Sequence, residues 1–586
     1  MAENGADWVV LECDEAQAAN LAMEAGVPPV VARLLLARGV TTAHEARAFL
    51  NPSLDHLHDP SLLPDLDAGV DRLIAAIQHG EKICVHGDYD VDGVTSTALL
   101  VRTLRALKAN VGYHLPHRRR DGYGIKPSAV TDAVRDGVKL ILTCDCGITA
   151  CETVHRANEA GIDVIVTDHH EPGPELPRAT AVINPKREDA VYPFPELAGV
   201  GVALKLAQGL VRKLGHNEEA FVTRFTDLAA LGTVGDVVPL LGENRTIVKH
   251  GLEAIPLSKK IGLRTMIKST GLEGKPLTAY YLAYVLGPRI NAAGRMADAT
   301  AALRLLLTTE DAEAWTLVRE IERHNTERRA EQEKILGEAM EQAEPKAEAG
   351  ARVLVLSKPG WNRGVIGIVA SKICECFGRP AVLISRDEAA GVGGGSARTP
   401  KVFGIEFNLI EALRACADLL DAFGGHALAA GVTIQLAKLD EFEERINSLA
   451  FEAIPEEELI PRVEVDAEIG AEAITRELAE GIASMEPFGM GNPEPLFVTR
   501  DMTIVQRQRV GDGSHLKFQL QAVHSEQGRR EGQAPIDCIG FGLGDLADSL
   551  QLGARVDLCY SIRLNDYNGT DSVQLVAKDV RIADSR

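Results

Sequence analysis

Between residues 71 and 305 short apolar runs alternate with stretches that read as helices, the spacing of a doubly wound parallel sheet. Ile83-Cys84-Val85, Lys139 to Thr143 and Asp163 to Thr167 are predicted strands, and Ser96 to Leu107 is a predicted helix. The pattern changes on either side. Residues 1–70 read as helical, with Val30 to Arg38 as an amphipathic segment. From about 310 to 345 helix formers are nearly continuous, yet between Ile321 and Ile335 almost every position is polar, including Asn325, Glu327, Arg328, Arg329 and Glu331. A helix polar all round cannot lie in a core, so this one is expected to bridge two domains across a solvent-filled gap, with the substrate in the cleft between them.

A second α/β unit follows. Its predicted strands are Arg352 to Leu356 and Ala381 to Ile384, followed by a glycine-rich turn from Gly391 to Arg398 and a helix from Phe407 to Ala422. Beyond residue 461 the runs are short and alternating, as in Leu516 to Leu520 and Val556 to Tyr560. Turns at Gly511-Asp512-Gly513 and from Asn565 to Gly569 separate them, the pattern of a small β-barrel. The expected organisation is a helical segment over 1–70, a metal-bearing domain over 71–305, a connecting helix over 306–348, a second α/β domain over 349–455 and an all-β module over 461–586.

Each predicted strand of the first domain delivers acids or histidines at its C-terminal end. Ile83-Cys84-Val85 runs into His86-Gly87-Asp88-Tyr89-Asp90-Val91-Asp92-Gly93, Thr143 into Cys144-Asp145-Cys146-Gly147, and Thr167 into Asp168-His169-His170. A fourth site, Gly235-Asp236, follows the helix-like stretch from Phe221 to Leu231. In an open parallel sheet the crevice outside the carboxyl ends of the strands holds the ligand, so residues far apart in sequence converge there. Carboxylates so close either rise in pKa or share a divalent cation, and hard oxygen donors point to Mg2+ or Mn2+. Asp90, Asp92, Asp145, His169 and Asp236 are the expected ligands, with Asp88, Asp168 and His170 either on the ions or just behind them. Two cations about 4 Å apart would fit a cluster of this size.

Composition narrows the class without selecting an activity. The chain has 586 residues, 45% hydrophobic and 25% charged, enough for three or four domains. No apolar run approaches the eighteen or so residues of a membrane span, and Met1-Ala2-Glu3-Asn4 lacks the segments of a signal peptide, so the cytoplasm is the expected compartment. The ten cysteines lack zinc-site spacing, and reduced thiols are expected; Cys144 and Cys146 should point away from Asp145 into packing. A net charge of −22 opposes nucleic-acid binding only in the sum, because several acids are metal ligands and steering follows local potential. His117-Arg118-Arg119-Arg120 is the clearest basic cluster, placed for phosphate contact, and Tyr123 beside it is placed to stack on a base. Glycines in Gly391 to Arg398 would let amides approach an anion, with Ser396 and Arg398 adding a hydroxyl and a bidentate cation.

The ordered series Asp-x-Asp-x-Asp-Gly, Asp-Cys-Gly, Asp-His-His and Gly-Asp resembles the DHH phosphoesterase superfamily. The resemblance is closer to its RecJ branch of single-strand-specific DNA exonucleases, because it extends through Gly287 to Arg295, Gly393 to Arg398, Gly424-Gly425-His426 and Glu486 to Pro493. It covers the chain from about residue 45 to the end. It implies two α/β domains, DHH and DHHA1-like, joined by a long helix around a cleft, and makes the all-β module an OB-fold. It implies a two-ion Mn2+ or Mg2+ enzyme that removes 5′ mononucleotides from single-stranded DNA in the 5′ to 3′ direction, in repair and recombination. Asp92, Asp145, His170 and Arg295 would be catalytic; Asp88, Asp90, Asp92, Asp145, Asp168, His169 and Asp236 would hold the metals; Arg118, Tyr123, Ser396, Arg398 and His426 would bind substrate. The protein would act as a monomer, with a helicase and a single-strand-binding protein as candidate partners and no membrane. Two other readings share the motifs: a phosphodiesterase of short oligonucleotides or cyclic dinucleotides, and a scaffold of the kind formed by relatives that lack the metal acids, although all the acids are present here.

Overall fold

A computed structural model describes the chain except residues 1–6, 119, 401–406, 456–458, 460–461, 523–534, 566–571 and 584–586. It divides into two compact units. One comprises residues 57–238 and 247–462; the other comprises residues 7–56, 239–246 and 463–586. The first strand, β1 (Asp7–Val10), belongs to the second of these.

The first unit contains two sheets. β2 (Ile83–His86), β3 (Val111–His114), β4 (Leu140–Thr143), β5 (Asp163–Thr167) and β6 (Ala181–Ile183) form a parallel sheet in the order β3-β2-β4-β5-β6. β4 is buried at all four positions, as a strand covered on both faces must be, which explains its unbroken apolar run. The chain passes from β2 outward to β3, then returns to the far side of β2 to begin β4. The order therefore reverses between β2 and β4, where a doubly wound sheet opens its ligand crevice. Cys144 and Cys146 are buried, with Sγ of Cys144 against Thr97 Oγ1 and Sγ of Cys146 towards His86 O.

A 38-residue helix, Asp311–Glu348, joins this sheet to the next. Ala314, Leu317, Val318 and Ile321 are buried at its start, and Ile335, Ala339 and Ala343 towards its end. From residue 326 to 334 no side chain is buried, the bare midsection that its polar run predicts. Asn325, read as part of that run, is instead buried, its Oδ1 accepting Arg328 Nη2 at 2.7 Å.

The second sheet holds β7 (Leu354–Pro359), β8 (Ala381–Asp387), β9 (Val392–Arg398), β10 (Leu420–Gly425) and β11 (Ala429–Gln435) in the order β10-β11-β9-β8-β7. Only β7 and β8 are parallel. The glycine-rich stretch is therefore a strand rather than a turn. Its glycines make room for neighbouring branched side chains: a Cβ on Gly393 would stand 2.6 Å from Ile384 Cγ2, and one on Gly395 2.7 Å from Val432 Cγ2. The turn is confined to Gly391, whose φ is +68°. The helix expected from Phe407 to Ala422 is shorter, Leu409–Ala415, and the chain then becomes β10.

In the second unit β1 pairs with β12 (Arg462–Val465), and β13 (Ala467–Glu468) runs parallel to the start of the barrel. β14 (Phe497–Val510), β15 (His515–Ala522), β16 (Ile536–Gly540), β17 (Arg555–Asn565) and β18 (Ser572–Ile582) lie in the order β14-β15-β16-β18-β17, and β17 pairs back onto β14. This is a closed five-stranded barrel, which leaves no open edge among these strands. The predicted turn at Asn565 to Gly569 lies, after its first residue, outside the described residues. Helices Glu15–Ala25, Pro29–Ala37 and Ala43–Leu50 share a core with the barrel: Leu34, Leu35 and Phe49 belong to one buried cluster with Leu478, Phe497 and Leu558. No single described helix is long and apolar enough to cross a membrane.

Candidate active site

The ends of β2, β4 and β5 bring the acids and histidines together. After β2 the chain passes Gly87 to Asp88 and Asp90, and Asp90 caps the helix Val91–Ala106, accepting the Gly93 amide at 3.0 Å. A Cβ on Gly93 would stand 2.5 Å from Asp88 N, so the first turn of the helix lies directly on the loop that carries Asp88. Asp92 in that turn accepts the amides of Gly199 (2.7 Å) and Val200 (2.8 Å), the positive start of the helix Gly199–Lys213. Gly199 is itself required, since its Cβ would be 2.8 Å from Asp145 Oδ1 and 2.9 Å from Asp92 Oδ2. Asp145 follows β4 with φ +60°, a left-handed conformation that Asp tolerates better than most residues.

His169 closes the cluster. Its Nε2 lies 3.2 Å from Asp145 Oδ1, 3.5 Å from Asp236 Oδ2 and 3.9 Å from Asp92 Oδ2. Asp236 is the last residue of the helix Glu218–Asp236. Three sets have donor atoms within 4.8 Å of one another: Asp88, Asp90 and Asp145; Asp92, His169 and Asp236; Asp145, His169 and His170. Asp145 joins the first set to the third.

Burial dominates the electrostatics. It raises the pKa of Asp88, reinforced by Asp90; of Asp92, reinforced by Asp236; and of Asp145, reinforced by Asp92. Asp236 is pushed up to about 7 by burial and then by Asp90, and His169 down to about 3 by burial and then by His170. His170 goes the other way. Burial opposes its charge, but the hydrogen bond to Asp168 and that residue's charge outweigh burial and raise its pKa.

The donor set fits divalent cations. Asp88 Oδ1, Asp145 Oδ1, His169 Nε2 and Asp236 Oδ2 are buried and have no hydrogen-bond partner. Buried polar atoms are ordinarily paired, and acceptors crowded on acceptors are relieved by a cation or by protons. Oxygen donors with one imidazole suit Mg2+ or Mn2+.

Arginines stand opposite the acids. Arg295 donates to Gly364 O at 3.0 Å, and Arg118 lies over the Tyr89 ring at 4.8 Å. Burial, then the charges of Arg118 and Arg328, push Arg295 down to about 9. Arg398 donates from Nη1 to Ser396 Oγ at 2.9 Å. Both share one face of β9 and close on the first turn of the helix Ile366–Phe377: a Cβ on Gly367 would be 2.9 Å from Arg398 Nη2 and 3.0 Å from Ser396 Oγ. Helix amides, a hydroxyl and a guanidinium make an anion cradle.

Family models match residues 82–233 (DHH family, N-terminal domain), 350–451 (DHHA1 domain) and 465–579 (RecJ OB domain). The single-stranded-DNA-specific exonuclease RecJ of Bacillus subtilis strain 168 is 37% identical to this chain, over 98% of this chain and 71% of its own. That of Escherichia coli K12 is 34% identical, over 95% and 96%. The chain belongs to the RecJ family. Among solved RecJ structures, that of Thermus thermophilus with Mn2+ matches at a TM-score of 0.82 and 34% identity, over 99% of this chain and 80% of its own. The Mg2+ complex of the same protein matches at 0.76 and 33%, over 99% and 79%.

Within this RecJ-family site most of the expected residues converge; Asp168, Tyr123 and His426 are placed as follows. Asp168, expected as a metal ligand, stands behind the histidines: its Oδ1 accepts the amides of His169 (2.8 Å) and His170 (3.2 Å) and faces His170 Nδ1 at 2.7 Å, while Oδ2 accepts the Ile148 amide (2.9 Å). Both oxygens thus accept hydrogen bonds. Tyr123, expected to stack on a base, points its hydroxyl inward, donating to Asp145 O at 3.1 Å and lying 2.9 Å from His170 Nδ1. His426, expected in the phosphate site, is exposed in the turn between β10 and β11. Its amide donates to Ala429 O, and Ala429 pairs with Arg398, which sets the His426 backbone beside the strand that carries the cradle.

Sequence reasoning missed the Gly199 and Val200 amides, Asn291, whose Oδ1 accepts the Val91 amide (3.2 Å), and the charge of Arg328 beside Arg295. The small residues Ala198-Gly199-Val200-Gly201 opening an apolar helix were the available signal.

Proposed function

We propose that this RecJ-family chain is a metal-dependent, single-stranded-DNA-specific exonuclease that works from the 5′ end and releases 5′ mononucleotides. One observation carries the reading: ligand sets that meet at Asp145 share one compact unit with the cradle of Ser396 and Arg398, and Arg295 lies within reach of the charges of both Asp90 and Arg398. Asp88, Asp90 and Asp145 would hold one cation, and Asp92, His169 and Asp236, with Asp145, the other. Cations bound there supply an acidified water and offset charge on the scissile phosphate.

The chain's own residues do the rest. Ser396, Arg398 and the helix amides at Gly367 seat a terminal phosphate, and Arg295 meets the charge that develops on the scissile one. His170, held by Asp168, presents an imidazole that stays protonated to a higher pH than a free one and stabilises that charge or protonates the leaving oxygen. With the cradle closing one end, the strand enters by its 5′ terminus and a single unpaired strand reaches the acids. Action in the cytoplasm during repair and recombination, alongside a helicase and a single-strand-binding protein, completes the proposal.

The test is to incubate the protein with single-stranded DNA labelled at either end, with Mn2+, Mg2+ or EDTA, and to resolve the products over time. Metal-dependent release of 5′ mononucleotides that halts at a duplex junction is expected. Indifference to long strands, with cleavage of dinucleotides, would move the chain to the short-oligonucleotide reading.

A further inference from the structure

The helix that carries Arg295 starts well outside the site. Its turns run without interruption from Ala279 through a π-helical stretch, Leu282–Leu286, to Met296. Such π turns are rare and recur at functional sites. Leu282, Leu286 and Ile290 face the core, yet Tyr280 and Tyr284 are 62% and 69% exposed. Their rings lie against each other, with centroids 4.9 Å apart at 37°, and Tyr281 meets Tyr280 edge-on at 5.9 Å. Two large aromatic rings held side by side in water are an unusual use of apolar surface.

Their place on the helix says what they meet. Tyr280 and Tyr284 are about one turn apart; across the wider π turn, Asn291 lies a little under two turns further and Arg295 a little under three, so all four lie within about a quarter turn of one side. Asn291 is bonded to the amide of Val91, between Asp90 and Asp92, and Arg295 to Gly364 beside the phosphate cradle. From its C-terminal end, this side therefore passes the terminal-phosphate cradle, then the metal acids, then the tyrosine pair. A strand seated by its 5′ phosphate with its first linkage over the acids continues towards the tyrosines. From Tyr284 to Asn291 the helix rises by about 10 Å, which a stacked strand covers in about three nucleotides.

We infer that Tyr280 and Tyr284 form a base-stacking platform for the uncleaved strand, receiving nucleobases about three to five positions in from the 5′ end. The inference rests on the exonuclease reading and adds a subsite to it. Every base has a π face, so such a platform grips any sequence and holds the shortened strand between successive cuts.

The experiment compares the full chain with Y280A/Y284A and Y280F/Y284F, in Mn2+, on a 5′-phosphorylated strand of about 20 nucleotides and on a 5′-phosphorylated dinucleotide too short to reach the pair. The alanine variant is expected to raise KM on the long strand roughly tenfold or more, leave the dinucleotide unchanged and shorten runs of consecutive cuts; the phenylalanine variant keeps wild-type behaviour. 2-Aminopurine at the fourth position should be quenched on binding by the wild type and not by the alanine variant. A KM within twofold of wild type on the long strand, with unaltered quenching, overturns the platform. So does an alanine variant that is impaired only when other proteins are present, which would give the patch to a protein partner. A wild type that fails to degrade the long strand at all instead refutes the exonuclease reading beneath it.

Discussion

Oδ1 of Asp168 lies 2.7 Å from Nδ1 of His170, while Oδ2 of the same carboxylate accepts the Ile148 amide at 2.9 Å. This geometry makes Asp168 the expected positioning residue. It fixes the ring of His170 and, together with Ile148, keeps its own charge: burial works against ionisation, but the bond to His170 and the Ile148 amide outweigh it and lower the pKa. Asp168→Asn is expected to lower kcat by roughly 10- to 100-fold. Because the raised pKa of His170 depends on this partner, the basic limb of the kcat profile should move to lower pH. Mn2+ affinity, read by calorimetry, should change far less than kcat; an equal loss of both would make Asp168 a ligand.

Asp145→Asn separates catalysis from folding. The carboxylate lies at the meeting point of the ligand sets, so activity should fall by at least about a thousandfold. Its buried charge is also a burden on the metal-free protein. Thermal scans in EDTA should show the variant at least as stable as wild type, whereas the Mn2+-induced rise in Tm should be largely lost. A variant still stabilised by Mn2+ as wild type is would remove Asp145 from the ligands.

Protons and cations compete at Asp236. With its pKa pushed up to about 7 by burial and by Asp90, the folded, metal-free protein holds more protons than the unfolded chain between about pH 4 and 7. The contribution of this group to stability is therefore present at low pH and lost as pH rises through about 7. Cation binding needs the deprotonated ligands and grows with pH. The difference in Tm between Mn2+ and EDTA should widen from about pH 5.5 to about pH 8, and Asp236→Asn should flatten it. A difference that narrows with pH contradicts this assignment.

Gly199→Ala should damage the site without unfolding the chain. The added methyl would stand 2.8 Å from Asp145 and 2.9 Å from Asp92, so both ligands must shift. A loss of roughly 10- to 100-fold in Mn2+ affinity is expected, the scale of a disturbed ligand support, with far-UV circular dichroism unchanged. Wild-type affinity would mean that the helix start yields freely.

Ser396→Ala with Arg398→Ala should erase the distinction between 5′-phosphate and 5′-hydroxyl ends. The wild type is expected to prefer the phosphorylated end by roughly tenfold or more, the worth of a charge-assisted pair. Competition assays with the two ends measure this directly. A preference that survives in the double variant would place the terminal phosphate elsewhere.

Much of the site was legible because parallel strands deliver their C-terminal residues to one edge. Asp88, Asp92, Asp145 and His169 each follow an apolar run by a few positions, and Cys144 and Cys146 pack inward as expected, although they lie beyond the end of β4, where the left-handed turn at Asp145 rather than strand alternation separates them. Whether Asp168 lies on the ions or just behind them was left open by the sequence, since its surroundings include the Ile148 amide, distant in sequence, at its second oxygen. Gly393 to Gly395 hid a strand because their missing side chains are replaced by those of Ile384, Arg363 and Val432, which local propensity does not register. The inward hydroxyl of Tyr123 follows from the same kind of distant packing against Asp145 and His170.

The cradle sits on β9, which is paired on one side with β8 and on the other with β11. Ser396 and Arg398 are thus carried by the middle of a sheet, where the backbone has little freedom to adapt to what arrives. On the proposed reading such a seat would take a terminus whatever is attached to it. Substrate for this protein is then counted in loose ends, not in length: shearing a long strand in two doubles what it can hold, and a covalently closed circle, however large, offers it nothing.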